Sequence, residues 1–382
     1  MKTDATSVPA NLTMVDLASQ YAHIRDEVNA EIQAVLDNTA FIRGPVVGEF
    51  ECKLAGYLGI PYVHGVANGT DALQVAMMAL DIGPGDEVIT TAFTFIATAE
   101  AAALLGAVPV FADINPETFN IDAASIESLI TERTKAIVPV HLFGQPADMD
   151  AIMDVANRHG IPVIEDNAQA IGAHYKGTRV GALGACGTTS FFPSKNLGCY
   201  GDGGAVTTAD EALYQRMKLI ANHGSAKKYH NEVVGINSRL DAMQAAVLKV
   251  KLKHLDAYSA ARVAAADRYD ALLADNPAVV TPFRAEDRDH VFHQYTLRVR
   301  GGRRDALAVH LKERGVPHAT YYPIPLQRLE VFAGGGCRTG DMTHTNQAAA
   351  EVISLPMHTE LTEEQQAYVA AAVNDFLLEV HA

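Results

Sequence analysis

Ser190-Phe-Phe-Pro-Ser-Lys195-Asn-Leu-Gly198, followed after Cys199 and Tyr200 by Gly201-Asp-Gly-Gly-Ala205, sets a lysine between an apolar strand pattern and a glycine-rich turn. That is a poor position for a routine solvated lysine. A lysine whose ammonium form is disfavoured by its surroundings can condense with an aldehyde to give a Schiff base. The glycines let the backbone turn sharply beside a bound group, and Ser190 adds a hydroxyl that suits a phosphate. A surface lysine in a loop is the plainer reading, and this pattern favours it less.

Working outward, Pro162-Val-Ile-Glu-Asp166-Asn-Ala-Gln169 ends a buried strand pattern on an aspartate. A carboxylate there is costly without a cationic partner; a protonated pyridine nitrogen is one such partner, and capping of the next element is the alternative. Further upstream, Asn68-Gly69-Thr70-Asp71-Ala72-Leu73 opens an amphipathic helix pattern. Its free N–H groups, its hydroxyl and the positive end of the helix dipole suit a phosphate, although an ordinary N-cap by Asn68 or Thr70 also explains it.

Between about residues 60 and 210, helix patterns (Thr70–Leu80, Phe95–Leu105, Ala147–His159) alternate with short apolar runs. The runs are Glu87–Thr90, Pro109–Asp113, Ala136–His141, Pro162–Glu165, Thr188–Phe192 and Ala205–Thr207. Continuous rather than alternating apolar strands predict an α/β fold, with a mostly parallel central sheet covered by helices on both faces. Ligands of such sheets bind at the carboxyl ends of the strands. Residues Leu240 to Asp275 contain no Gly or Pro and predict one long helix or a bent pair. A strand (Gln294–Val299) and helices at Arg304–Arg314 and Glu363–Leu378 then predict a smaller C-terminal α+β domain. The expected division is 1–255 for the large cofactor-binding domain and 256–382 for the small one.

Composition narrows the function classes. The 382 residues are 48% hydrophobic and carry a formal net charge of −15, which makes nucleic acid or an anionic membrane surface a poor partner. Cys52, Cys186, Cys199 and Cys337 form no C-x-x-C pair and no zinc-finger spacing with histidine, so no metal site is expected. Cys199 reads as a small packing residue. The segment MKTDATSVPANLTMVD lacks a signal pattern, and the most apolar stretch, Ala101 to Ala112, is broken by Gly106 and Pro109. The expectation is a soluble, cytoplasmic protein.

The motifs GTDAL, TFIATA, VIEDNAQ, SFFPSKNLG, GDGGA and GINSRLDAMQAA occur in this order. Together they resemble the nucleotide-sugar aminotransferases of the DegT/DnrJ/StrS type, which have the aspartate-aminotransferase (type I pyridoxal-phosphate-dependent transferase) fold. The likeness runs from Val15-Asp16-Leu17 to Leu355-Pro356-Met357. It implies pyridoxal 5'-phosphate as cofactor, cycling through pyridoxamine 5'-phosphate. In the implied roles, Lys195 carries the cofactor and moves the proton, and Asp166 pairs with the pyridine nitrogen. Phe95 stacks on the ring and Gln169 lies beside its phenolic oxygen. Gly69, Thr70 and Ser190 hold the phosphate, which Asn237 reaches from the neighbouring subunit. A homodimer with a shared active site follows, with glutamate as amino donor and 2-oxoglutarate as its product.

SKNLGCYGDGGAV, NHGSAKKYH and GINSRLD look most like enzymes that aminate C3 of a UDP-linked 3-oxo uronic acid for bacterial surface polysaccharide. The substrate this implies is UDP-2-acetamido-2-deoxy-3-oxo-glucuronate. Arg239 is a candidate for the sugar carboxylate, with an ion pair to Asp241 as the alternative. The subgroup's His-Tyr-Pro-x-Pro-Leu motif reads Tyr321-Tyr322-Pro323-Ile324-Pro325-Leu326 here. Tyr321 thus stands where that subgroup has His, which keeps a neutral dTDP-3-oxo-6-deoxyhexose open as substrate; Tyr322 follows it at the sugar. Three other classes are weaker. A sugar dehydratase on the same scaffold carries His in place of Lys195, and a nicotinamide dehydrogenase needs the missing G-x-G-x-x-G. A non-catalytic cofactor-binding regulator needs a basic DNA-binding appendage.

Overall fold

The computed structural model describes residues 8–378. The first seven residues of the stretch read above for a signal pattern lie outside the described residues. The body of the central sheet is β1 (Tyr62–Val66), β2 (Glu87–Thr91), β3 (Val108–Ala112), β4 (Thr134–Val138), β5 (Ile164–Asp166), β6 (Cys186–Ser190) and β7 (Gly204–Thr208), with the short segment Arg338–Thr339 pairing in parallel along the outer edge of β3. Their spatial order is β1-β7-β6-β5-β4-β2-β3, the β4 to β5 step being made by the parallel bridges Ile137↔Val163 and Val140↔Asp166. β2, β3 and β4 pair in parallel, as do β5 and β6, whereas β7 runs antiparallel to both β1 and β6. Nearly every position of these strands is buried. Burial on both faces is why their sequences read as continuous apolar runs.

The sequence patterns missed β1. His64-Gly65 interrupts its apolar run, and His64 is fully buried against Arg43 and Glu51. Two N-terminal helices, α1 (Leu17–Asn38) and α2 (Pro45–Leu58), were also unassigned. They precede the helices α3 (Gly69–Ala79) and α4 (Ala97–Leu104). Residues 240–275 form a bent pair, with helices Ala242–Lys251 and Leu255–Leu273 joined by a 3-10 turn at Leu252–His254.

A second core lies towards the C-terminus. The antiparallel strands β8 (Val279–Val280), β9 (Tyr295–Val299) and β10 (Val352–Leu355) pair in that order. They pack with Tyr269, Leu307, Leu311, Val369 and Val373 from the flanking helices. No helix among the described residues is long and apolar enough to cross a membrane.

Candidate active site

Three segments bring polar groups to the carboxyl ends of β5 and β6, where α3 begins. Asp166 is the last residue of β5 and is almost fully buried. Thr98, on α4, donates its hydroxyl to Asp166 Oδ2 at 2.7 Å, and the Ala168 N–H donates to Oδ1 at 3.1 Å. Both bonds fix the orientation of the carboxyl group. Its neighbour Glu165 points the other way, accepting from the N–H groups of Gly181 (2.7 Å), Leu183 (2.6 Å) and Gly184 (2.7 Å) and pairing with His141 Nε2 at 3.0 Å. That buried network anchors the strand end that presents Asp166.

Lys195 lies in the loop after β6, which closes on itself. The Lys195 N–H donates to Phe192 O (2.8 Å), and the Phe191 N–H donates to Gly203 O (2.8 Å). The Cys199 thiol donates to Phe191 O (3.0 Å) and Gly201 O (3.1 Å), the packing role expected of it. Burial drives the Lys195 amine down from its ordinary value to about 8, against the opposing pull of Asp166.

At the other end, Asn68 caps α3, its Oδ1 accepting the Asp71 N–H at 2.8 Å. The first N–H groups of the helix have no intrahelical acceptor, and Gly69, Thr70 and Ser190 meet at this point. A methyl group on Gly69 would stand 2.6 Å from Ser190 Cβ, so the backbone approaches the hydroxyl as closely as a glycine allows.

These groups share one cavity of about 440 Å³, lined by Gly69, Thr70, Phe95, Asp166, Gln169, Ser190, Lys195, Tyr321 and Tyr322. Phe95 precedes α4 instead of opening it, and it lines the cavity as a residue 57% exposed. Gln169 donates from Nε2 to the Tyr322 hydroxyl at 3.1 Å, and its Oε1 accepts the Phe143 N–H at 2.8 Å. Burial pushes the Tyr322 hydroxyl well above its ordinary range, so it stays protonated.

Asn237 and Arg239 do not line this cavity. They border a neighbouring depression with Asn68, Asp202 and Asp241, and Asp202 belongs to both hollows. The ion pair between Arg239 and Asp241 is not formed. His293, buried in the cavity wall, was passed over in the sequence, because a lone histidine ahead of a strand carries no motif. Among the described residues no group of three or more His, Cys, Asp or Glu side chains is placed to hold a metal ion.

The donor set suits pyridoxal phosphate. Helix N–H groups and two hydroxyls face one end, a carboxyl group oriented by Thr98 sits along the wall, and a weakly basic lysine amine shares the space. The cavity volume lies in the range usual for small-molecule sites.

Comparison with known proteins agrees with this geometry. The chain is 50% identical over 368 residues to a pleiotropic regulatory protein of Geobacillus stearothermophilus, covering 96% of this chain and 98% of that protein. It is 47% identical over 366 residues to the UDP-2-acetamido-2-deoxy-3-oxo-D-glucuronate aminotransferase of Pseudomonas aeruginosa, covering 95% and 100%. To the dTDP-3-amino-3,4,6-trideoxy-alpha-D-glucose transaminase of Streptomyces venezuelae it is 43% identical over 362 residues, covering 95% of each chain. The crystal structure of S. venezuelae DesV in complex with a ketimine intermediate superposes with a TM-score of 0.92 at 42% identity, covering 96% of this chain and 98% of that one. Residues 22–374 match the DegT/DnrJ/EryC1/StrS aminotransferase family. The chain belongs to that family and is a pyridoxal-phosphate-dependent nucleotide-sugar aminotransferase.

Proposed function

We propose that the enzyme transfers an amino group from glutamate to C3 of UDP-2-acetamido-2-deoxy-3-oxo-glucuronate, as a homodimer with shared active sites, for bacterial surface polysaccharide. The observation that carries the catalytic assignment is the weakly basic Lys195 amine in the same cavity as the buried Asp166. Bound pyridoxal phosphate supplies an electron sink for the carbon that loses its proton. Gly69, Thr70 and Ser190 would hold its phosphate, Asp166 would keep its ring nitrogen protonated, and Phe95 and Gln169 would flank the ring.

Lys195 does the proton work. With a value of about 8, a substantial fraction of its amine is neutral near physiological pH and able to accept a proton from carbon. The ammonium it then becomes can return that proton to a neighbouring carbon, which is what an amino transfer requires. The same lysine serves the glutamate half and the sugar half of the cycle.

The identity to a relative named for the 3-oxo-glucuronate supports the choice of sugar. So does Arg239, which has no acidic partner among the described residues. In a dimer its guanidinium, with Asn237, would enter the partner's cavity, where it can take a carboxylate bidentately. Tyr321 favours the second reading, a neutral dTDP-3-oxo-6-deoxyhexose. It lines the cavity where a cation would serve a carboxylate better, and a phenol carries no positive charge. Glutamate-dependent turnover of the two purified sugars separates the readings. Preference for the UDP-uronate by about tenfold or more in kcat/KM, lost in Arg239→Leu, supports the first. Preference for the dTDP-deoxyhexose overturns it.

A further inference from the structure

His293 is fixed in place from three sides. Gly144 adopts φ +109°, and a side chain there would stand 2.8 Å from the Phe292 nitrogen and 2.9 Å from that of His293, so the two backbones touch. The Val291 N–H donates to Gly144 O at 2.9 Å, and the Gln294 N–H donates to Phe143 O at 3.2 Å. Arg262 Nη1 donates to Phe292 O at 3.1 Å. From the third side, Asn196 Nδ2 donates to Val291 O at 3.0 Å. The residue after Lys195 is therefore tied to the segment that carries His293.

His293 is 7% exposed, and the cavity it lines is the one containing Lys195. Its Nδ1 is buried without a partner, and among the described residues neither the His293 ring nor the Lys195 amine makes a hydrogen bond. Burial, with the nearby positive charges of Lys195 and Arg262, holds the ring neutral far below its ordinary titration range. A neutral imidazole can offer a lone pair to an ammonium or an N–H to an amine. It therefore suits a lysine that changes protonation state in each half of the cycle.

We infer that His293 is a positioning residue for Lys195, holding the lysine amine between the carbons it serves in both half-reactions. The inference rests on the proposed role of Lys195 as the proton-transferring amine. Asp166 and His293 line the cavity with that amine, and the positive charge of Arg262 also acts on the imidazole. The charge-assisted bond from an ammonium is stronger than the bond to a neutral amine. Replacing the ring by hydrocarbon therefore disfavours the ammonium and moves the lysine lower still.

The test compares His293→Leu, which preserves bulk, with His293→Gln, which keeps a polar end. Both are measured by single-turnover absorbance changes in the glutamate direction and in the sugar direction. In His293→Leu both rates are expected to fall in parallel by about tenfold, with KM for glutamate unchanged. The acid limb of the pH–rate profile is expected to move down by about one unit, and His293→Gln is expected to recover most of the loss. A loss confined to one half-reaction would overturn the inference, because the ring would then touch a substrate and not the lysine. Wild-type rates in His293→Leu would also overturn it, reducing the ring to packing. Thermal melting of both variants identifies a folding defect, and the Gln variant carries the comparison if the Leu variant is unstable. Lys195→Ala separates the two claims: if it retains turnover, the lysine reading itself fails, whereas an inactive Lys195→Ala beside a fully active His293→Leu refutes only the inference about His293.

Discussion

Lys195 and Asp166 owe their chemistry to where the chain buries them. The lysine's lowered value comes first from loss of water around the ammonium, with Asp166 opposing it. The sign of the pH dependence follows. The sugar half-reaction begins with Lys195 free, and a free amine must be neutral to act as a base. Its single-turnover rate should therefore rise with pH and level off above about 8. Stopped-flow absorbance between about pH 6 and 9 checks this, and a flat profile assigns the base to another group. At this scale the sequence was legible where a residue sat inside a motif. Lys195 stands out because a lysine between an apolar strand and a Gly-rich turn conflicts with ordinary burial preferences. Thr98 sits inside the motif TFIATA and His293 inside none, yet the part of neither was legible, because it comes from groups distant in sequence, Asp166 in one case and the Lys195 loop in the other.

At the level of elements, the phosphate end of the cavity depends on one close approach, the start of α3 against the end of β6. Gly69→Ala places a methyl group 2.6 Å from Ser190 Cβ and 3.1 Å from its hydroxyl. Both are backbone-proximal atoms with little room to move, so the helix start must shift away from the strand. Cofactor affinity should fall by about tenfold or more, and overpacking should cost about 1–3 kcal/mol in stability. Equilibrium dialysis with pyridoxal phosphate, paired with thermal melting, measures both effects. Unchanged affinity would place the phosphate elsewhere. The strands were readable from sequence because they are buried on both faces, and a parallel sheet leaves that signature in each of them. The exceptions have physical causes. β1 carries a buried His-Gly pair that its neighbours Arg43 and Glu51 accommodate, which no local pattern announces. β7 returns antiparallel to β6 after the loop 191–203, and burial alone is blind to direction.

For the whole molecule, the decisive feature is that Asn237 and Arg239 face a hollow next to the cavity and not the cavity itself. If each completes the site of a second copy, neither Lys195→Ala nor a protein carrying Asn237→Ala and Arg239→Leu together is active alone. Mixing the two should restore about a quarter of wild-type activity, since half of randomly assorted dimers then contain one intact site. Absence of recovery after subunit exchange, with exchange verified by mass, argues for sites complete within one chain. The fold and the cofactor chemistry were legible across the full length because six motifs recur in order; the sugar was not, since the carboxylate question turns on Tyr321 and Arg239 alone. The most direct test of the central claim is the visible absorption of the purified protein before and after glutamate. A band near about 410–430 nm that gives way to one near about 330 nm, and that is missing in Lys195→Ala, is the predicted result for a lysine-bound cofactor that accepts an amino group. A protein that shows no such band after incubation with pyridoxal phosphate, or a band that glutamate leaves unchanged, would contradict it.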